Sequence, residues 1–299
     1  MEFVQAMMTQ PSSTQRTPMV TVLIPCYNQG QFLEECLASL HAQTLSDWQA
    51  LIVNDASTDG VTPALCDQFA SEQVQILHLP HNHGRATARQ VAVQQARGQY
   101  VLRLDADDCV APDYLQKTLP HFDDGPKIGF VYTDYRHFGT RTGLMKFERW
   151  DEATLYRRQV APNGALVRRE AWLGSRGHRD EYNIGNEDYD FWMTLAEAGW
   201  GGVHVAEPLY LYRNHSGSWT SQRVDDDRVF RSRMMLVEHH REGFDKFSSV
   251  NGFLADTWRD EGERRASFGR HTDARTAFRT ALQYRPSDLR SRLGVWFGR

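Results

Sequence analysis

The chain has 299 residues and a net charge of −4, from 34 Lys and Arg against 38 Asp and Glu. That length allows one large catalytic domain or two modest ones, and the charge balance offers no broad cationic surface to hold nucleic acid. Apolar residues at 40% and charged residues at 24% exclude collagen-like, coiled-coil and wholly disordered chains.

Residues 1 to about 18, rich in Gln, Ser, Thr and Met with Pro11 and Pro18, have the composition of a disordered tail. Met19 to Ile24 is a β-rich run stopping at Pro25, and Phe32, Leu33, Cys36, Leu37 and Leu40 then recur at helical spacing. The unit repeats as strand 50–53, helix about 63–70, strand 74–79, helix 85–97 closed by Gly98, and strand 100–104. Near-continuous apolar strands alternating with helices predict a parallel sheet covered on both faces. Beyond residue 120 the pattern is less regular, with strands expected at 128–132, 165–167 and 203–205 and a helix at about 189–198. From about 225 to 299 a helical appendage is expected. Within it Trp258, Gly262, Gly269, Ala274, Phe278, Ala281 and Pro286 fit one tetratricopeptide-like helix pair over about 255–288, which must pack on the main domain or on a partner.

The opening Met1 to Gln5 has no secretory character, and no stretch reaches the 18 apolar residues of a membrane span. Cys26, Cys36, Cys66 and Cys109 show no C-x-x-C spacing and read as reduced thiols. The expectation is a cytoplasmic protein without a transmembrane segment, able to lie peripherally at the inner face of a membrane.

In such sheets ligands bind beyond the carboxyl ends of the strands, where Tyr27, Asn28, Asn54, Asp55 and the run Asp105-Ala106-Asp107-Asp108 are expected. Three carboxylates in four residues suit a divalent cation, Mg²⁺ or Mn²⁺, or form a solvated acidic turn with Asp108 as a helix cap. Asp55 could accept from a base or ribose, or belong to a capped turn. Arg85 and Arg89, four apart, could meet phosphate oxygens or face solvent. Glu187 and Asp188 open a helix, where capping alone accounts for acidic residues. His215 could be a third metal ligand, a phosphate donor or merely exposed. No G-x-G-x-x-G or Walker-type loop stands at the strand ends.

Val22-Leu23-Ile24-Pro25-Cys26-Tyr27-Asn28, Val53-Asn54-Asp55-Ala56-Ser57-Thr58-Asp59-Gly60, Leu104-Asp105-Ala106-Asp107-Asp108 and Asn186-Glu187-Asp188-Tyr189-Asp190, in that order, resemble the motifs of family 2 glycosyltransferases with the GT-A fold. The resemblance covers residues 19 to about 220 and implies a catalytic domain over 19–224 with a mixed, mostly parallel sheet flanked by helices, followed by the helical region 225–299. It implies nucleotide contacts from Pro25, Tyr27, Asn28, Asp55, Arg89 and Asp105. Metal would be held by Asp107 with Asp105 and His215, and Asp188 would be the catalytic base beside Glu187. The implied reaction is inverting, metal-dependent transfer from a UDP- or dTDP-type sugar to a carbohydrate, lipid-linked or protein acceptor in surface polysaccharide or glycoconjugate synthesis. The C-terminal helices could hold a second copy or another protein. Two features depart from the family: Q-x-x-R-W of processive synthases is absent after Glu187-Asp188, and His81 and His83 have no evident purpose. The alternatives are a nucleotidyltransferase on a similar sheet and a non-catalytic nucleotide-sugar-binding adaptor.

Overall fold

The computed structural model describes residues 17–218 and 227–297. The expected tail lies outside them up to residue 16, as does the 224/225 domain boundary. Strands β1 (Val20–Cys26), β2 (Trp48–Asn54), β3 (Val74–His78) and β4 (Tyr100–Arg103) alternate with helices α1 (Leu33–His41), α2 (Thr62–Gln68) and α3 (Arg85–Gln95). Then come β5 (Cys109–Val110), α4 (Tyr114–Thr118), β6 (Ile128–Gly139), β7 (Gly143–Met145), α5 (Glu152–Leu155), β8 (Ala165–Arg168), α6 (Arg169–Leu173), α7 (Glu187–Glu197) and β9 (Gly201–Asn214). Helices α8 (Arg228–His239), α9 (Arg241–Lys246), α10 (Val250–Ser267), α11 (His271–Tyr284) and α12 (Leu289–Phe297) complete the described chain.

One mixed sheet has the order β3-β2-β1-β4-β8-β6-β9-β5, with β7 on β6. Parallel pairings β1–β2, β1–β4, β2–β3 and β6–β9 hold most of the register. Strand alternation divides the core: Val20, Val22 and Ile24 face one layer, and Leu23, Val53 and Val101 face the other. β1 runs past Pro25 to Cys26 because its pairing with β4 ends at Leu23, so near Pro25 only β2 flanks it and the missing N–H is tolerated.

β6 and β9 are longer than their apolar runs predict. Asp134 lies within β6, yet it is satisfied there, accepting from Phe147 N at 2.9 Å and from His204 Nε2 at 2.8 Å. The expected helix pair forms as α10 and α11, turning at Gly269, and Phe278 is buried where a side chain at Gly262 or Gly294 would collide with its ring. The Trp258 ring packs on Phe230 of α8 at 4.6 Å. Leu236, Phe244, Phe253 and Leu254 of α8–α10 join the same core layer as Tyr156, Tyr189 and Trp192.

Candidate active site

The loops after β1 and β2 are laced together by Asn28, which adopts a left-handed φ of 55°. Its N–H donates to Ser57 Oγ at 2.9 Å, and its Oδ1 accepts from Thr58 N at 2.7 Å and Asp59 N at 3.2 Å. Beside it Pro25 is buried in β1 and Tyr27 is exposed. Asp55 is buried, with Oδ1 accepting from His83 N and Oδ2 from Gly84 N, both at 2.8 Å. His83 therefore has a backbone role that the sequence did not suggest. Gly84, at φ 86°, is the pivot: a side chain there would strike the amide of Asn183, whose Oδ1 caps α3 by accepting from Ala86 N at 3.0 Å.

Arg89, expected at the nucleotide, is turned inward by α3 toward two carboxylates. It is fully buried, pairs with Asp105 and reaches Glu187 Oε1 at 3.4 Å. Arg85 also pairs with Glu187, Nε to Oε1 at 2.6 Å. Asp105 Oδ2 accepts from Asn163 Nδ2 at 2.7 Å, and Asn163 Oδ1 accepts from Arg103 Nη2 at 2.7 Å. Burial acts to raise the Asp105 carboxyl, but Arg89, Arg85 and Arg103 outweigh it and leave it below the ordinary range.

Asp107 Oδ2 accepts from Gln29 Nε2 and contacts His215 Nε2, each at 2.9 Å. Burial and then the charge of Asp105 push its carboxyl up. Asp108 is occupied structurally: Oδ2 accepts from Tyr210 OH at 2.7 Å and Oδ1 from Arg213 N at 2.8 Å, tying β9 to this loop. Burial and then Asp107 raise it strongly. Asp105, Asp107 and Asp108 each offer a carboxylate oxygen within 4.8 Å of the others. These hard oxygens, with a crowded Asp107 that a cation would relieve, fit Mg²⁺ or Mn²⁺.

Glu187 and Asp188 are presented by a turn through Gly185 and left-handed Asn186, whose Nδ2 donates to Ser232 Oγ at 2.6 Å. Asp188 Oδ2 accepts from Gln159 Nε2 at 2.6 Å. Burial and then Glu187 raise its carboxyl, opposed by Arg103 and Gln159. Asp105, Asn163, Gln159, Glu187, Asp188 and His215 line one cavity of about 780 Å³. Pro25, Tyr27, Asn28, Asp55, Arg89 and Asp107 stand outside that lining. Gln29, Asn163, Gln159, Arg103 and Tyr210 are site residues the sequence did not reveal.

Residues 21–193 match the family model described as "Glycosyl transferase family 2". The chain is 32% identical over 290 residues to the putative glycosyltransferase EpsH of Bacillus subtilis (strain 168), covering 83% of this chain and 80% of that protein. It is 27% identical over 259 residues to chondroitin synthase of Escherichia coli, covering 83% of this chain. The chain spans only 18–37% of the length of that synthase and three further curated relatives. In fold it resembles S. aureus TarS 1–349 in complex with UDP-GlcNAc, with TM-score 0.64, 18% identity, and 89% of this chain and 81% of that one covered. A second likeness is mannosyltransferase PcManGT from Pyrobaculum calidifontis in complex with GDP-Man and Mn²⁺, with TM-score 0.61, 18% identity, and 98% and 84% covered. The fold is GT-A, and the chain belongs to glycosyl transferase family 2.

Proposed function

We propose that the protein is an inverting, metal-dependent glycosyltransferase of hexosyltransferase type, moving a sugar from a UDP- or dTDP-type donor to an acceptor hydroxyl in surface polysaccharide or glycoconjugate synthesis. The observation that carries this reading is the meeting of Asp105 and His215 with Glu187 and Asp188 in one cavity. Similarity to proteins named chondroitin synthase and "Putative teichuronic acid biosynthesis glycosyltransferase TuaG" supports the polysaccharide assignment. Residues 19–224 are assigned the catalysis and 225–299 a supporting role.

In this reading Tyr27, Asn28 and Asp55 shape the base and ribose site, with Pro25 as its buried floor. Arg89 acts on the nucleotide through Asp105, which it orients. Asp105, Asp107 and His215 would hold Mn²⁺ or Mg²⁺, and a bound ion offsets the charge growing on the leaving diphosphate. The Asp188 carboxylate, steadied by Gln159, takes the proton from the acceptor hydroxyl; its raised pKa makes it a stronger base than an exposed aspartate. Base and leaving group on opposite faces of one carbon produce inversion.

A thermal-shift panel of nucleoside diphosphates and their sugars, with and without Mn²⁺ or Mg²⁺, tests the reading. UDP or dTDP compounds should raise Tm in a metal-dependent way, and Asp107→Ala should remove that dependence. A shift with GDP-mannose alone would replace the donor assignment. No shift with any compound would overturn the transferase reading.

A further inference from the structure

Helix α12 leaves one face uncovered among the described residues. At 3.6 residues per turn, Leu289, Leu293 and Trp296 align in one stripe, and they are 67%, 49% and 80% exposed. Arg290 and Arg292, both exposed, flank the stripe on its two sides. The opposite face is fixed, because Ser291 and Gly294 are buried and any side chain at Gly294 would strike the Phe278 ring. The stripe therefore cannot roll inward. No acidic residue lies in α12, and neighbouring α11 adds exposed Arg275 and Arg279.

We propose that α12 is an interfacial helix that seats Leu289, Leu293 and Trp296 at the acyl boundary of an anionic lipid surface, with Arg290 and Arg292 at the phosphates. An apolar stripe bordered by arginine and carrying tryptophan has the chemistry of a monotopic membrane helix. The wider charge pattern agrees: residues 225–299 carry 15 Lys and Arg against 12 Asp and Glu, while the whole chain has 34 against 38. Charge also selects this occupant over a second copy, since a two-fold pair would bring two arginine-flanked stripes together. The nine described residues of α12 fall far short of the roughly 20 that a membrane-spanning helix needs. The inference does not depend on the sugar donor or the reaction.

The test is co-sedimentation of the full chain with phosphatidylcholine vesicles with and without phosphatidylglycerol. Binding should require phosphatidylglycerol and weaken in high salt. Joint Arg290→Ser and Arg292→Ser substitution should lower partitioning by about 10- to 30-fold, and Trp296→Ser by about 10-fold or more. Both variants should keep the parent Tm, since the changed side chains are exposed. Failure to bind anionic vesicles, or unchanged binding after Trp296→Ser, overturns the proposal. A dimer that Leu293→Asp converts to monomer, without vesicle binding, would assign the stripe to a second copy instead.

Discussion

Asp188 separates a catalytic role from a capping role at a single residue. Its Oδ1 accepts from the adjacent Tyr189 N at 2.9 Å, and no capping bond deeper into α7 holds it. Asp188→Asn keeps size and polarity but removes the proton-accepting carboxylate. Transfer should fall about 10²-fold or more with nucleotide affinity unchanged in a binding assay; near-normal turnover would move the base to another residue. Arg103 sharpens this assignment. It is fully buried against the rings of Phe191 and Trp192, and burial followed by the charge of Arg89 pushes its pKa down to about 9, so it stays charged at neutral pH. Its charge opposes the rise at Asp188. Arg103→Met should therefore move the acidic limb of the pH–rate profile upward by about one unit or more, whereas a purely structural role would lower the rate equally at all pH values. The carboxylates were legible in the sequence because they sit in contiguous motifs at strand or helix ends. Asn163 and Gln159 were not: each is a single loop amide brought to its aspartate by tertiary folding, 58 and 29 residues away.

At the scale of elements, α7 is clamped from behind. His240, joining α8 to α9, is buried with Nε2 2.8 Å from Asp190 Oδ1 and Nδ1 2.8 Å from Glu197 Oε1; Arg176 and Arg179 complete the cluster. Burial disfavours the imidazolium, but hydrogen bonds to Asp190 and Glu197 outweigh it and raise the pKa above the ordinary 6.5. A raised folded-state pKa gives stabilisation that is full below about pH 6.5 and lost as pH rises through the folded value. Glu197 has the opposite sign. Burial would raise it, the His240 hydrogen bond leads the groups that lower it, and its contribution is lost only as pH falls below the ordinary 4.5. Melting curves across neutral and alkaline pH should show Tm falling in the parent and a flatter dependence in His240→Gln; equal slopes would show that His240 carries no linked proton. This clamp had no sequence signal, since Asp190 and His240 are 50 residues apart. Strands β1, β2 and β4 were legible because they are buried along their whole length. β6 and β9 were read short because Asp134 and Glu207-Pro208 interrupt their apolar runs, while long pairing between the two strands supplies the missing support.

For the whole molecule, the composition-based division into a catalytic sheet and a helical appendage meets a continuous core. Leu236, Phe244, Phe253 and Leu254 lie in the layer that also holds Tyr182, Phe191 and Trp192. The Tyr156 ring faces Phe244 at 5.3 Å and Phe247 at 5.4 Å, and Tyr189 meets Phe253 at 6.0 Å. A buried phenylalanine contributes about 3–5 kcal/mol and a buried leucine about 2–5 kcal/mol. Removing two of each exceeds or matches the whole stability of a typical domain, about 5–15 kcal/mol. It would also expose Tyr156 and Tyr189 beside the helix that presents Asp188. Truncation at about residue 225 should therefore abolish cooperative melting and yield an aggregating chain, as read by near-ultraviolet circular dichroism and light scattering. A truncated protein that melts cooperatively near the parent Tm would show instead that the sheet and its flanking helices suffice alone, and that the C-terminal helices rest on a catalytic unit which does not need them.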